Sequence, residues 1–404
     1  MPILSPSLDD PRILVDTPAA IVDTVPPYAP RTEREAEFYT LADGQMLLNI
    51  GPHHPATHGV LRLVLKLEGE RIIDIDPVLG YLHRGVEKLG ENGDYHHAIA
   101  YTDPLEYISS LFNELAPVMA FEKLLDVRVP RRAEFLRVLS CELLRVSSHI
   151  LFMGFMALDM GGLTPILYSF IERDEMVDML AALTGQRMLF NYMRIGGVNG
   201  DLNHEFLSRL GDWMSHAGRQ AEAISTLLNE NEIIVKRTRG LGAISREEAL
   251  NLGLTGPNLR ACGLPYDVRR AHPYSVYPEL DFDVVTAAQG DTYARYLVRV
   301  EEIKQSIRII DQVLHEMPDG PVMGRIPRRI TPPPGRAWAA IESPRGLYGC
   351  YAMSDGTDQP YRFRIHDPSF VNLQALVPIL PGCLVADTMA INASLDPIMG
   401  GVDK

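Results

Sequence analysis

The stretch RAEFLRVLSCELLRVSSHILFMGFMALD, residues 132–159, decides the fold class of this chain. Its apolar side chains recur at intervals of three and four residues, the spacing of a helix face. They are Phe135, Val138, Leu139, Leu143, Val146 and Ile150. The adjacent glycines at positions 161 and 162 are typical of a helix end. Because apolar residues occupy more than one face of this long helix, we predict that it lies in a buried multi-helix bundle.

Outward from this helix, the pattern predicts further helices and then strands. The predicted helices cover Pro165–Leu189, His204–Lys236 and Tyr293–Leu314. Three consecutive prolines at 332–334 break the helical pattern. Short strands are predicted after them, over Ala337–Glu342, Gly349–Ala352 and Tyr361–Ile365.

Upstream, residues 45–78 alternate between apolar and polar and predict a small antiparallel sheet. Residues 1–44, where prolines are frequent, predict an irregular N-terminal arm. We therefore expect an α+β protein with one domain over 45–404. That domain consists of the small sheet, a helical core over 80–330 and a mixed part with short C-terminal strands over 335–404.

Composition excludes several function classes. The formal net charge of −14 disfavours a nucleic-acid binder, and it gives no attraction to anionic lipid. No signal peptide and no run of about 18 apolar residues is visible, so partner subunits would hold the protein at any membrane. The four cysteines, Cys141, Cys262, Cys350 and Cys383, form no CxxC pair. We therefore expect neither a metal nor an iron–sulfur cluster on this chain, and no GxGxxG motif indicates flavin or NAD.

Chemistry-bearing residues concentrate in five motifs. The first, GPHHPATHG at residues 51–59, presents histidines from a Gly- and Pro-bounded turn, where imidazoles suit proton transfer near neutral pH. An incidental surface turn or a metal site are the alternatives. The others are GYLHRGVEK at 80–88, YTDPLEY at 101–107, TGQR at 184–187 with RIGGV at 194–198, and LDPIMGGVDK at 395–404. In addition, Asp159 ends an apolar helix and needs a partner, for which His or Arg is the natural choice.

The order and spacing of these motifs, from about Leu47 to Lys404, resemble the D subunit of respiratory complex I, the proton-pumping NADH:quinone oxidoreductase. That family is related to the large subunits of nickel–iron hydrogenases, which implies a hydrogenase-large-subunit-like fold. The resemblance implies a quinone pocket beside the terminal [4Fe–4S] cluster of a partner subunit. It assigns His58 as the histidine of the site, Tyr107 as the quinone-binding tyrosine and Asp159 as the carboxylate that holds the histidine.

The chemistry of these three residues agrees with that assignment. Reduction of a quinone by two electrons leaves two oxygens that need protons. His58, as an imidazolium stabilised by Asp159, can protonate one of them, and the Tyr107 phenol can donate to the same headgroup. The charge left behind could drive the rearrangement that supplies proton pumping.

The resemblance also implies partners and a location. The chain would be active only within the complex, with the cluster-bearing B subunit, the C and I subunits and the membrane H subunit as neighbours. It would be a peripheral protein on the cytoplasmic side of the cell inner membrane. The substrate would be ubiquinone or menaquinone.

Departures from the family pattern refine these expectations. Residues 396–399 read DPIM where the hydrogenases have DPCxxC, so a thiolate-held nickel site is excluded. Pro104 and Leu189 stand where many members have Arg and His near the cluster, which predicts a lower cluster potential with weaker pH dependence. A metal-binding hydrogenase subunit, a scaffold that has lost its site and a D-like subunit of a ferredoxin-using relative are the alternatives.

Overall fold

The N-terminal part of the chain forms a three-stranded antiparallel sheet. This computed structural model describes residues 38–54, 57–229 and 231–404, so residues 1–37 of the predicted arm lie outside the described residues. Strands β1 (Gln45–Ile50), β2 (Arg62–Glu68) and β3 (Arg71–Val78) pair in the order β1-β2-β3. Leu63, Leu65, Ile72 and Ile75 are buried on this sheet. The predicted small sheet is confirmed, while the division into arm and domain stays a prediction.

The helices and two short strands of the middle region follow. They are α1 (Val86–Asn92), α2 (Tyr95–Thr102), α3 (Ser110–Leu125), α4 (Arg131–Asp159), α5 (Leu163–Thr184), β4 (Met193–Arg194), β5 (Gly197–Val198), α6 (His204–Met214), α7 (Ala217–Asn229), α8 (Glu232–Thr238), α9 (Arg246–Asn251), α10 (Gly256–Arg260), α11 (Val268–Ala271) and α12 (Thr292–Glu316). The helices predicted around 132–159 and 293–314 are confirmed as α4 and α12.

Helix α4 is the centre of this bundle and packs against both α5 and α12. Within the described residues it is the one helix long and apolar enough to cross a membrane. However, 89% of its most apolar 18-residue window is buried inside the protein. The hydrophobicity of α4 is therefore accounted for by its place in the core.

Two helix predictions need correction. The helix predicted over Pro165–Leu189 ends at Thr184, because Gly185 adopts the left-handed conformation with φ +83 and its N–H bonds to Ala181 O. The prediction of a single helix over His204–Lys236 was wrong, since this region contains α6, α7 and α8. The Asn231 side chain caps α8 by accepting the backbone N–H groups of Ile233 and Ile234, so a new helix begins there.

The C-terminal part contains a second three-stranded antiparallel sheet and four short helices. They are β6 (Gly335–Ser343), β7 (Gly346–Ser354), β8 (Arg362–His366), α13 (Pro368–Leu373), α14 (Leu376–Ile379), α15 (Asp387–Leu395) and α16 (Met399–Val402). The three predicted strands are confirmed with slightly different bounds. The mixture of helices and small antiparallel sheets agrees with the predicted α+β class.

The end of the described chain completes the N-terminal sheet. Ile72 N donates to Cys383 O at 2.9 Å, and Gly382 N donates to Ile72 O at 2.7 Å. Residues of α13, α14, α15 and α16 share one apolar cluster with the buried side chains of this sheet. The loop that follows β1 is thereby held against α16, which positions the histidine turn described next.

Candidate functional site at the end of helix α4

The histidine turn is held in place by its own side chains and by α16. The Thr57 hydroxyl donates either to His54 O, at 2.6 Å, or to Gly59 O, at 2.9 Å. His58 adopts the left-handed backbone conformation, with φ +53. A Cβ atom at Gly59 would lie 2.9 Å from Met399 Cγ, so only glycine lets the turn approach α16 so closely.

The turn directs His58 at the last residue of α4. His58 Nε2 lies 2.6 Å from Asp159 Oδ2, and the two side chains are 12% and 8% exposed. The carboxyl end of a helix carries partial negative charge, and His58 lies at that end of α4. Because Asp159 holds Nε2, the other ring nitrogen is the one that can exchange a proton with a ligand.

Tyr107 lies in the turn between α2 and α3 and is 38% exposed. Burial of its phenol raises the pKa, Arg345 opposes that rise, and Asp396 adds to it. Within the described ranges its hydroxyl makes no hydrogen bond to another residue, which leaves it available to a ligand.

A cavity of about 480 Å³ brings the predicted residues together. His58 and Tyr107 both line it, and Asp159 stands behind His58. Its remaining lining is mostly apolar and consists of Gly59, Ile108, Leu151, Phe152, Phe155, Phe170, Arg173, Met188, Arg345, Asp396 and Ile398. An apolar cavity of this size with a few converging polar groups is typical of a small-molecule site.

Charged residues at the cavity form a group that sequence reasoning identified only in part. Arg345 is buried and forms ion pairs with Glu106 and with Asp396, the latter at 3.1 Å. Burial raises the pKa of Glu106 to about 7, although Arg345 opposes the rise. Asp396 belongs to the fifth motif and Glu106 to the third, whereas Arg345 occupies the β6–β7 turn with no local signal of function.

Arg173 was also missed, although it lies one turn beyond Phe170 on the same side of α5. Its Nη1 donates to Ser147 Oγ at 3.4 Å, and it pairs with no carboxylate among the residues described. Burial, together with Arg345, lowers the pKa of its guanidinium. A cavity-lining cation without a counter-ion suits a polar or anionic ligand group.

The other two motifs lie outside the cavity lining. The Asp403 carboxylate accepts the backbone N–H groups of Gly80 and Leu82, both at 2.8 Å, so the second and fifth motifs meet. In the fourth motif, Arg187 pairs with Asp174 and Asp178 on the exposed side of α5. These contacts fix chain segments relative to one another and present no side chain to the cavity.

The cysteines offer nothing that favours metal binding. All four are free thiols, and burial raises the pKa of each of them. A metal ligand must be the thiolate, so the raised pKa values oppose ligation. The cavity chemistry is therefore that of imidazole, phenol, guanidinium and carboxylate groups.

Comparison with known proteins identifies the family. Residues 159–334 and 325–404 match the family described as "Respiratory-chain NADH dehydrogenase, 49 Kd subunit". The chain is 46% identical to the D subunit of NADH-quinone oxidoreductase from Clostridium beijerinckii, over 92% of this chain and 100% of that protein. It is 47% identical to the protein of the same name from Dehalococcoides mccartyi, over 89% and 98% of the two chains. The chain therefore belongs to the family of the respiratory-chain NADH dehydrogenase 49 kDa subunit and is a subunit of NADH-quinone oxidoreductase, complex I.

Proposed function

We propose that this chain binds the quinone headgroup in the cavity between His58 and Tyr107 and supplies both protons when the quinone is reduced. The observation that carries the proposal is the pairing of His58 with Asp159 at 2.6 Å, on the wall of the same cavity that Tyr107 lines. The apolar lining suits a quinone ring, and the two polar groups suit its two oxygens.

The proposed proton transfers involve these residues in different ways. Two electrons and two protons convert a quinone to a quinol. His58, in its imidazolium form, donates the proton of the ring nitrogen that does not face Asp159, and it remains hydrogen-bonded as a neutral imidazole. Tyr107 donates its phenolic proton. Because its pKa is raised, the tyrosinate left behind is unfavourable and must recover a proton quickly.

After both transfers, the cavity has gained two uncompensated negative charges. One is at Asp159, which has lost its imidazolium partner, and the other is at Tyr107. Asp159 lies at a helix end that disfavours an anion, so losing the imidazolium is costly there. Charge imbalance of this kind is the proposed input to proton pumping, through rearrangement of the residues around the cavity.

The electrons would come from a [4Fe–4S] cluster on a partner subunit, which supplies one-electron transfer at the cavity. An exposed apolar stripe on α5 supports a partner beside the cavity: Leu163, Leu167, Tyr168, Phe170 and Ile171 are each about half exposed or more. Contiguous exposed apolar surface marks an interaction site. We assign this stripe to the cluster-bearing B subunit, with the C, I and H subunits completing the neighbourhood.

The same proposal gives the chain its place in the cell. A quinone dissolves in the membrane, whereas the net charge of −14 gives this chain no affinity for anionic lipid. The chain would therefore be held by its partners as a peripheral protein on the cytoplasmic side of the inner membrane.

The experiment that tests the proposal compares two activities in membranes carrying Tyr107→Phe. The variant lacks the phenolic proton and keeps the ring, so NADH:quinone reductase activity should fall at least about tenfold. NADH oxidation by an artificial acceptor, which bypasses the quinone site, should be unchanged. Tyr361→Phe is the control, because Tyr361 is exposed and lies outside the cavity lining. Unchanged quinone reduction in the assembled Tyr107→Phe complex would remove Tyr107 from the site.

A further inference from the structure

Three potential metal ligands that lie outside the cavity lining converge beside α5. They are Glu172, Glu175 and His216, whose ligand atoms all lie within 4.8 Å of one another. Glu172 and Glu175 are three positions apart on α5, so they share one helix face. His216 comes from the two-residue turn between α6 and α7. The cluster therefore joins two parts of the helical core.

A backbone carbonyl and a carboxylate fix the orientation of the histidine in this cluster. His216 Nδ1 lies 2.9 Å from Asp212 O, and a carbonyl can only accept, so Nδ1 carries the proton. In neutral His216, Nε2 is then the nitrogen with a free lone pair. It lies 3.3 Å from Glu175 Oε2. Ligand atoms around tetrahedral zinc lie about 3.4 Å apart, which is nearly the same spacing.

Glu172 gives a second, independent observation that points to a ligand. Its residue is only 4% exposed, and its Oε2 atom is buried with no hydrogen-bond partner among the described residues. A buried carboxylate beside a second carboxylate is unfavourable unless a cation compensates both.

We propose that Glu172, Glu175 and His216 bind one Zn²⁺ ion, with solvent in the fourth position. The imidazole disfavours Mg²⁺ and Ca²⁺, which take oxygen ligands, whereas zinc accepts both nitrogen and oxygen. The ion would tie α5 to the α6–α7 turn. Because Phe170 and Arg173 on α5 line the cavity, it would hold one cavity wall in place.

Zinc binding to the chelator-treated full chain tests the proposal. We expect one equivalent of Zn²⁺, measured by competition with a chromophoric chelator, and Mg²⁺ in large excess should not displace it. Glu172→Gln and His216→Gln should each weaken the affinity at least about tenfold. His315→Gln is the matched control, because among the described residues His315 pairs only with Asp311, on an exposed surface. Equal affinity in the parent and Glu172→Gln chains would overturn the proposal.

A measurement on the unsubstituted chain tests the proposal even if the substituted chains fail to fold. X-ray absorption at the zinc edge should show one imidazole nitrogen and otherwise oxygen ligands. Sulfur ligation, which would place the ion on a cysteine, would overturn the assignment. None of these readouts depends on quinone reduction, so the zinc site and the quinone site are tested independently of each other.

Discussion

At the scale of the residue, the position of Asp159 decides what His58 can do. The carboxylate is the last residue of α4 and is nearly buried, so its counter-ion must come from His58 at 2.6 Å. The sequence indicated that Asp159 needs a partner, since an unpaired carboxylate in an apolar helix is costly. The local sequence pattern did not indicate which residue pairs with Asp159, because His58 and Asp159 lie 101 positions apart.

Replacement of Asp159 by Asn keeps the shape and removes the charge. The amide no longer stabilises an imidazolium at His58, so we expect NADH:quinone reductase activity to fall at least about tenfold. Activity with an artificial acceptor should be unaffected, which would place the loss at the quinone step. Asp283→Asn is a suitable control, since Asp283 is exposed and pairs with Arg308 at the surface. Full quinone reduction by the Asp159→Asn complex would mean that His58 is not the proton donor.

At the scale of the element, one glycine sets the distance between α4 and α5. A Cβ atom at Gly154 would lie 2.7 Å from Ser169 Oγ and 2.8 Å from Ser169 Cβ. These contacts are too close, so the two helices would have to move apart. The cavity would change with them, because Phe155 of α4 and Phe170 of α5 pack edge to face at 6.1 Å.

We therefore expect Gly154→Ala to destabilise the chain by about 1–3 kcal/mol and to weaken quinone binding. Chemical denaturation of the full chain and the KM for quinone in membranes would measure the two effects. Gly211→Ala is the matched control, because it lies within α6 and a Cβ atom there would meet nothing within 4 Å. That substitution should be neutral or stabilise by up to about 1 kcal/mol. Equal behaviour of the two variants would contradict the packing argument.

Elements differ in how well their sequence predicts them. Helices α4 and α12 and strands β6, β7 and β8 were predictable, because their apolar residues follow the period of the structure they form. Helix α3 was not given bounds, since almost all of its residues are buried and Pro117 lies inside it. Burial on every side weakens the amphipathic signal, and an internal proline is typical of a helix end rather than of a helix interior. The joined prediction over α6, α7 and α8 failed at two breaks, the turn of Ser215 and His216 and the cap at Asn231, which periodicity alone does not detect.

At the scale of the whole molecule, a network of buried charges runs through the core. Arg260 pairs with Glu302 at 2.6 Å and with Glu342 at 2.7 Å, and His149 Nε2 lies 2.9 Å from Glu302. None of these pairings was predicted, because each joins elements that are distant in sequence. Buried charges of this kind are stable only when their partners are in place, so the network depends on the complete fold.

His149 makes the stability of the molecule depend on pH. Burial lowers its pKa to about 4, although Glu302 opposes that effect. An unfolded histidine takes up a proton near pH 6.5, so between about pH 6.5 and 4 the unfolded state binds the extra proton. The contribution to stability is therefore present above about pH 6.5 and is lost as the pH falls towards 4.

His149→Gln should reduce this acid sensitivity. Between about pH 7 and pH 5, the free energy of unfolding of the parent chain should fall. In the variant, this fall should be smaller by about 2 kcal/mol. Urea denaturation at the two pH values measures the difference. His315→Gln, at an exposed histidine, should leave the pH dependence as it is. An unchanged loss in the His149 variant would show that other groups account for the acid sensitivity.

The pairing of β3 with the segment around Gly382 has a consequence for synthesis. The apolar cluster on the N-terminal sheet is completed by residues that lie about 300 positions later in the chain. A ribosome adds about 5–20 residues per second, so the emerging sheet waits roughly 15–60 s for its cover. During that interval its leucine and isoleucine side chains are exposed and can contact other nascent chains. A chaperone that holds the nascent chain, or a reduced growth temperature, should therefore raise the yield of folded protein.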